Sequence, residues 1–97
     1  MKRAPAQQRL EAASTMFRAL ADLSRLRTLM ALAKHECSVT QLAEMEGEKI
    51  ATVSARLKVL LSARLVTRRR DGQNIYYTIA DAHVLGLIRN AIDHASH

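Results

Sequence analysis

Only one cysteine, Cys37, occurs among 97 residues, so the chain can form no internal disulfide, no CxxC metal knuckle and no thiol pair for a redox switch. No apolar run approaches the ~20 residues of a membrane span. The opening MKRAPAQQRLEA is basic but lacks the apolar core of a secretory signal. These absences predict a soluble, cytoplasmic protein with no membrane partner. HExxH, a Gly-rich phosphate loop and a nucleophile elbow are also missing, which predicts neither an enzyme nor a small-molecule substrate. Internal repeats, linkers and low-complexity segments are absent as well.

What is present is positive charge. Fifteen Lys plus Arg against nine Asp plus Glu give a formal charge of +6, which points to an anionic partner, either nucleic acid or a membrane surface. The length predicts a single domain, 1–97, whose modest core gains from a partner subunit.

From about Gln8 to Leu20, the residues Leu10, Met16, Phe17 and Leu20 fall at mostly helical spacings. Ser24 is the expected N-cap of a second helix carrying Leu26, Leu29, Met30 and Ala33 and ending near Lys34-His35-Glu36. Ser38 and Gln41 form the S-x-x-Q pattern of a capping box, opening a short helix through Leu42, Ala43 and Met45 that Gly47 ends. From about Lys49 to Ala63, the residues Val53, Leu57 and Leu60 recur on one face, with Ala51, Ala55, Lys58 and Ser62 opposite. Two short helices joined by a turn with a glycine are the helix-turn-helix pattern. In the following LVTRRRDGQNIYYTI, β-prone residues flank Asp71-Gly72, a strong hairpin signal. A hairpin in that place is a wing. The last helix, about Ala82 to Ser96, carries Val84, Leu85, Leu87, Ile88, Ala91, Ile92 and Ala95, enough apolar surface to require burial against something. The expected class is mainly α with a small β-hairpin, a winged helix-turn-helix.

In that fold the second helix of the pair enters the major groove while the hairpin grips flanking phosphates. Lys49, Thr52, Ser54, Arg56 and Lys58 on the helix, with Arg68, Arg69, Arg70, Gln73 and Asn74 on the wing, are therefore the candidate contacts to double-stranded DNA. One wing arginine could simply discourage strand-to-strand aggregation. Three beside a helix-turn-helix favour DNA contact.

FRALADLSRLRTLMAL, SVTQLAEMEG and TVSARLKVLLSARLVTRRRDGQNIYYTI resemble the ArsR/SmtB family of metal-sensing bacterial repressors, over nearly the whole chain from about residue 10. The resemblance implies an α-α-α-α-β-β-α winged fold and a homodimer that binds operator DNA without metal and releases it with metal. Leu23 stands where the family commonly has Pro, and Ile50, Ala51 and Ala55 where relatives usually show Ser, Gln or His.

The stretch DAHVLGLIRNAIDHASH holds His83, His94 and His97, with Asp81 at its start. Eleven residues separate His83 from His94, which returns to within about 20° of the same helix face but about 16 Å along the axis. Zn–N bonds are about 2 Å, so one helix cannot bring both to one ion. Two copies packed antiparallel across a two-fold axis can, and symmetry makes the site twice. Each site would take Asp81 and His83 from one subunit and His94 and His97 from the other. The resemblance implies the same set, since D-x-H, ten residues, H-x-x-[EH] is the C-terminal-helix sensor site of the family's zinc-responsive members. Oxygen and imidazole donors without thiolate suit Zn(II) and would accept Co(II). Metal binding needs neutral imidazole, so the response is expected to weaken below about pH 6. The family's other common site uses cysteines where Ser38 and Thr40 stand. Cys37 is read as a loop or small core residue and His35 as a surface histidine.

Three other readings stay open. A winged-helix repressor could answer a non-metal signal, with the histidines capping a helix C-terminus. A DNA-compacting protein would show no preferred site. A hydrolytic zinc enzyme would need an open coordination position, which four protein ligands close.

Overall fold

The computed structural model describes residues 4–96. Helix α1 (Pro5–Leu20) starts on a proline, whose missing N–H is of no consequence in a first turn. Helix α2 (Leu23–Lys34) is capped by Asp22, whose carboxylate accepts from the Arg25 amide at 2.9 Å. The expected cap, Ser24, lies inside the helix, its carbonyl 3.2 Å from the Thr28 hydroxyl oxygen. Asp and Ser cap equally well. Here Arg25 fixes the junction: its guanidinium donates to the carbonyls of Ala19 (2.6 Å) and Arg18 (3.1 Å), satisfying the end of α1.

Strand β1 (Cys37–Ser38) leads into α3 (Val39–Glu46). The capping box is formed as expected: the Gln41 amide donates to Ser38 Oγ at 3.2 Å, and the Ser38 amide to Gln41 Oε1 at 2.8 Å. Gly47, at φ +64°, ends α3 in the left-handed region that glycine enters at no steric cost. Helix α4 (Ile50–Ser62) follows, then β2 (Val66–Asp71), β3 (Asn74–Ile79) and α5 (Ala82–Ala95).

The three strands form one antiparallel sheet in the order β1-β3-β2, with Cys37 opposite Tyr77 and Ser38 opposite Tyr76. Strand β1 lies outside the sequence expectation, because two residues leave no periodic pattern. It ties the start of α3 to the hairpin. The hairpin loop is Gly72-Gln73, closed by the pair Asp71 and Asn74, so the turn is centred one residue later than Asp71-Gly72. Gly72 has φ +65° and Gln73 no positive φ, which is the type II′ preference for glycine at the first loop position.

Leu29 and Leu32 of α2, Leu42 of α3, and Val53, Leu57 and Leu60 of α4 pack with Leu65, Val66 and Tyr77 into one core. Each buried leucine contributes about 2 kcal/mol. Helix α5 joins that core through Val84 and Ile88 and leans on β3. Its predicted burial is only half realised within one chain, since Ile92 remains 39% exposed. Helix α1 likewise leaves Leu10 and Phe17 exposed, at 66% and 58%. No described helix is long and apolar enough to cross a membrane.

Candidate nucleic-acid interface and metal ligands

Helices α3 and α4 meet at the Gly47 turn, and their relation decides what α4 presents. Val53, Leu57 and Leu60 turn α4 inward. Thr52, Ser54, Ala55 and Lys58 then face solvent, with Lys49 exposed at the N-cap. Hydroxyls and ammonium groups on one open face can reach base edges and phosphates together.

Arg56 is not on that face. The sequence reading grouped it with the DNA contacts, but the structure buries it to 9% exposure. Its guanidinium donates from Nη1 to Glu46 at 2.6 Å and from Nη2 to Glu48 at 2.8 Å. The bond from Arg56 holds the Glu48 carboxyl below its usual range, and the two glutamates raise the arginine further. Helix geometry explains the burial, for position 56 lies three after Val53 and four before Leu60, on the inward side.

On the wing, alternation sends Arg68 and Arg70 to the face that carries Tyr77 and Ile75, and Arg69 to the opposite face beside Tyr76. Arg68 and Arg70 are exposed. Arg69 forms a two-pronged pair with Glu36, Nε to Oε2 at 2.8 Å and Nη2 to Oε1, while its guanidinium carbon sits 5.0 Å from the Tyr76 ring centre. That pair depresses the Glu36 carboxyl and braces the wing against the segment before β1. Gln73 lies in the turn itself and Asn74 opens β3, both exposed at the wing tip.

Asp81 caps α5, its Oδ1 accepting from the Val84 amide at 3.0 Å. The same oxygen is 3.8 Å from His83 Nδ1, and the His83 side chain is 98% exposed. His94 is exposed in the last turn of α5. His97 lies outside the described residues. Among the described residues no three His, Cys, Asp or Glu side chains gather to hold a metal ion. Cys37 is fully buried, its Sγ 3.5 Å from the Nδ1 of exposed His35, and burial pushes the thiol pKa up.

Sequence reasoning missed Glu36, Glu46, Glu48 and Thr28, which organise the two buried or braced arginines. A usable signal was present in E-G-E, a pair of acids at the turn of an otherwise basic helix-turn-helix.

Two helices joined by a tight turn, followed at once by an antiparallel hairpin, make this a winged helix-turn-helix protein. The chain belongs to the arsR family of bacterial regulatory proteins, whose model matches residues 22–68. It is 41% identical over 87 residues to the HTH-type transcriptional regulator NmtR of Mycobacterium tuberculosis, covering 90% of this chain and 72% of that protein. It is 49% identical over 78 residues to a transcriptional repressor SmtB homolog of Synechocystis, covering 80% of this chain and 59% of the relative's length. The homodimeric winged helix-turn-helix DNA-binding domain from Mycobacterium bovis superposes with a TM-score of 0.92 at 32% identity, over 99% of this chain and 89% of that one. These relatives are regulators or DNA-binding domains rather than enzymes, in line with the missing catalytic signatures.

Proposed function

We propose that the chain is a metal-responsive transcriptional repressor, binding operator DNA as a metal-free homodimer and releasing it when Zn(II), or Co(II), binds between the subunits. The observation that carries this reading is the placement of donors on α5. Asp81 and His83 stand together in solvent at one end and His94 at the other. A carboxylate oxygen and imidazole nitrogens are donors that tetrahedral Zn(II) accepts. With no gathering of three donors in the described chain, a closed coordination sphere calls for a second copy. Asp81 and His83 of one subunit would then hold the ion with His94 and His97 of the other. The bound ion would supply a fixed positive centre and a cross-link between the two α5 helices.

Dimerisation has material on both terminal helices, in the exposed Leu10 and Phe17 of α1 and Ile92 of α5. Two copies would set their α4 helices on successive half-sites of a pseudo-palindrome. Lys49, Thr52, Ser54 and Lys58 would enter the groove, and Arg68, Arg70, Gln73 and Asn74 would meet flanking phosphates. Arg56, buried and held by carboxylates, would act from behind that surface, and Arg69, exposed but paired with Glu36, from the wing's other face. Metal and DNA then oppose each other by the same factor in both directions.

Mixing protomers tests the shared site. His83→Ala and His94→Ala dimers each lose Zn(II) binding, whereas their heterodimers regain one intact site and release a fluorescent promoter fragment on adding Zn(II). Verified heterodimers that bind no Zn(II) would sink the bridged arrangement.

A further inference from the structure

A polar cluster lies beneath the surface of α4 and joins three helices. Arg56 Nη1 donates to Glu46 Oε2 at 2.6 Å and lies 3.3 Å from Thr28 Oγ1, while Nη2 donates to Glu48 Oε2 at 2.8 Å. Thr28, fully buried on α2, donates to the other Glu46 oxygen at 2.7 Å. Helices α2, α3 and α4 and the turn between the last two therefore converge on one guanidinium.

Stability alone does not call for such a cluster, because well-packed apolar residues in place of a buried ion pair are often as stable or more so. The ionic version adds direction. A planar guanidinium donates to carboxylates only along its fork, so both partners are fixed in angle as well as distance. Glu46 is the last residue of α3, and Glu48 follows the left-handed Gly47. The fork thus grips both sides of the turn that sets the angle between the helices. Meanwhile Lys49, at the N-cap of α4, makes no side-chain capping bond. Arg56 instead ties the middle of α4 back to the turn that precedes it.

We infer that Arg56 is a positioning residue for DNA reading: it touches no base, and it fixes the α3–α4 angle at which Thr52 and Ser54 are presented. This rests on the DNA-binding reading above.

The test separates specificity from folding and from charge. Arg56→Met combined with Glu46→Leu removes the fork together with its more buried carboxylate, and leaves Glu48, whose side chain is one-third exposed, to be hydrated by solvent. Wild type and variant are compared by thermal melting. Both are also titrated, across a salt series, with a duplex that wild type enriches from a random-sequence pool and with a scrambled duplex. The expected variant is folded, with unchanged affinity and salt slope on scrambled DNA, while its preference for the enriched duplex falls about tenfold, the worth of one misplaced base contact. An unchanged preference in the folded variant reduces the cluster to a structural role and overturns the inference. A salt slope lower by about one shows Arg56 on a phosphate and overturns it as well. Should the double variant fail to fold, Glu48→Ala, which opens one arm at a half-exposed carboxylate, is read the same way: a reduced preference supports the inference and an unchanged one overturns it. A pool from which wild type enriches nothing would remove the DNA-reading function itself, and this inference with it.

Discussion

Arg69 carries the same charge as Arg68 and Arg70 on either side, yet its fork is taken by Glu36, thirty-three residues away. A count of cations along the sequence has no means of weighing so distant a partner. Alternation along a strand predicts that Arg69 faces away from its two neighbours, and that much was legible. The Glu36 pair also sets a pH dependence. Because Arg69 lowers the folded Glu36 pKa, the pair's contribution to stability is fully present above the usual carboxylate value of 4.5 and is lost as pH falls through the lower folded value. Glu36→Gln is therefore expected to melt below wild type at pH 6, with the gap closing as the buffer is taken toward pH 3. A gap independent of pH would show that the pair contributes nothing through ionisation.

At the scale of elements, the features read correctly are those written within four or five residues. The Ser38 and Gln41 box and the stop at Gly47 are local chemistry, and both are formed. The helical stripe of Val53, Leu57 and Leu60 is equally local and equally buried. Misplaced features are those in which two local solutions compete, or in which the element is too short to have a period. Asp22 and Ser24 compete for the cap of α2, and the tertiary bonds of Arg25 decide for Asp22. Strand β1, at two residues, is defined only by its pairing with β3. Gly47 offers a clean test of local strain. Nothing lies within 4 Å of where a Cβ would sit, so Gly47→Ala meets no clash and pays only for the left-handed φ of +64°. Urea unfolding is expected to show a loss of about 1 kcal/mol with an unchanged slope on denaturant. A loss near zero would mean that the turn relaxes out of that conformation.

For the whole molecule, the instructive residues are apolar ones left in solvent. A helical stripe in the sequence says that a face must be covered and not by what, so the demand on α5 was legible while its satisfaction was not. Val84 and Ile88 meet the core, and Ile92 does not. Phe17 on α1 is in the same position, 58% exposed on a folded chain. Under the proposed dimer, Phe17→Glu is expected to sediment as a folded monomer and to lose the Zn(II) response. A variant that stays dimeric would move the interface elsewhere. The metal-donor proposal still rests on residue type and spacing, since eleven residues of helix return to one face at an unbridgeable distance.

The buried anchors of α5, Val84 and Ile88, and the exposed histidines proposed as donors, His83 and His94, share no residue. Under the proposed function, effector chemistry and architecture would be encoded separately, and swapping imidazole for thiolate or carboxylate at 83 or 94 would disturb no side chain packed within one chain. On that proposal, such a scaffold would be retuned from one ion to another by surface exchange alone, keeping its DNA-reading face while changing the stimulus it answers.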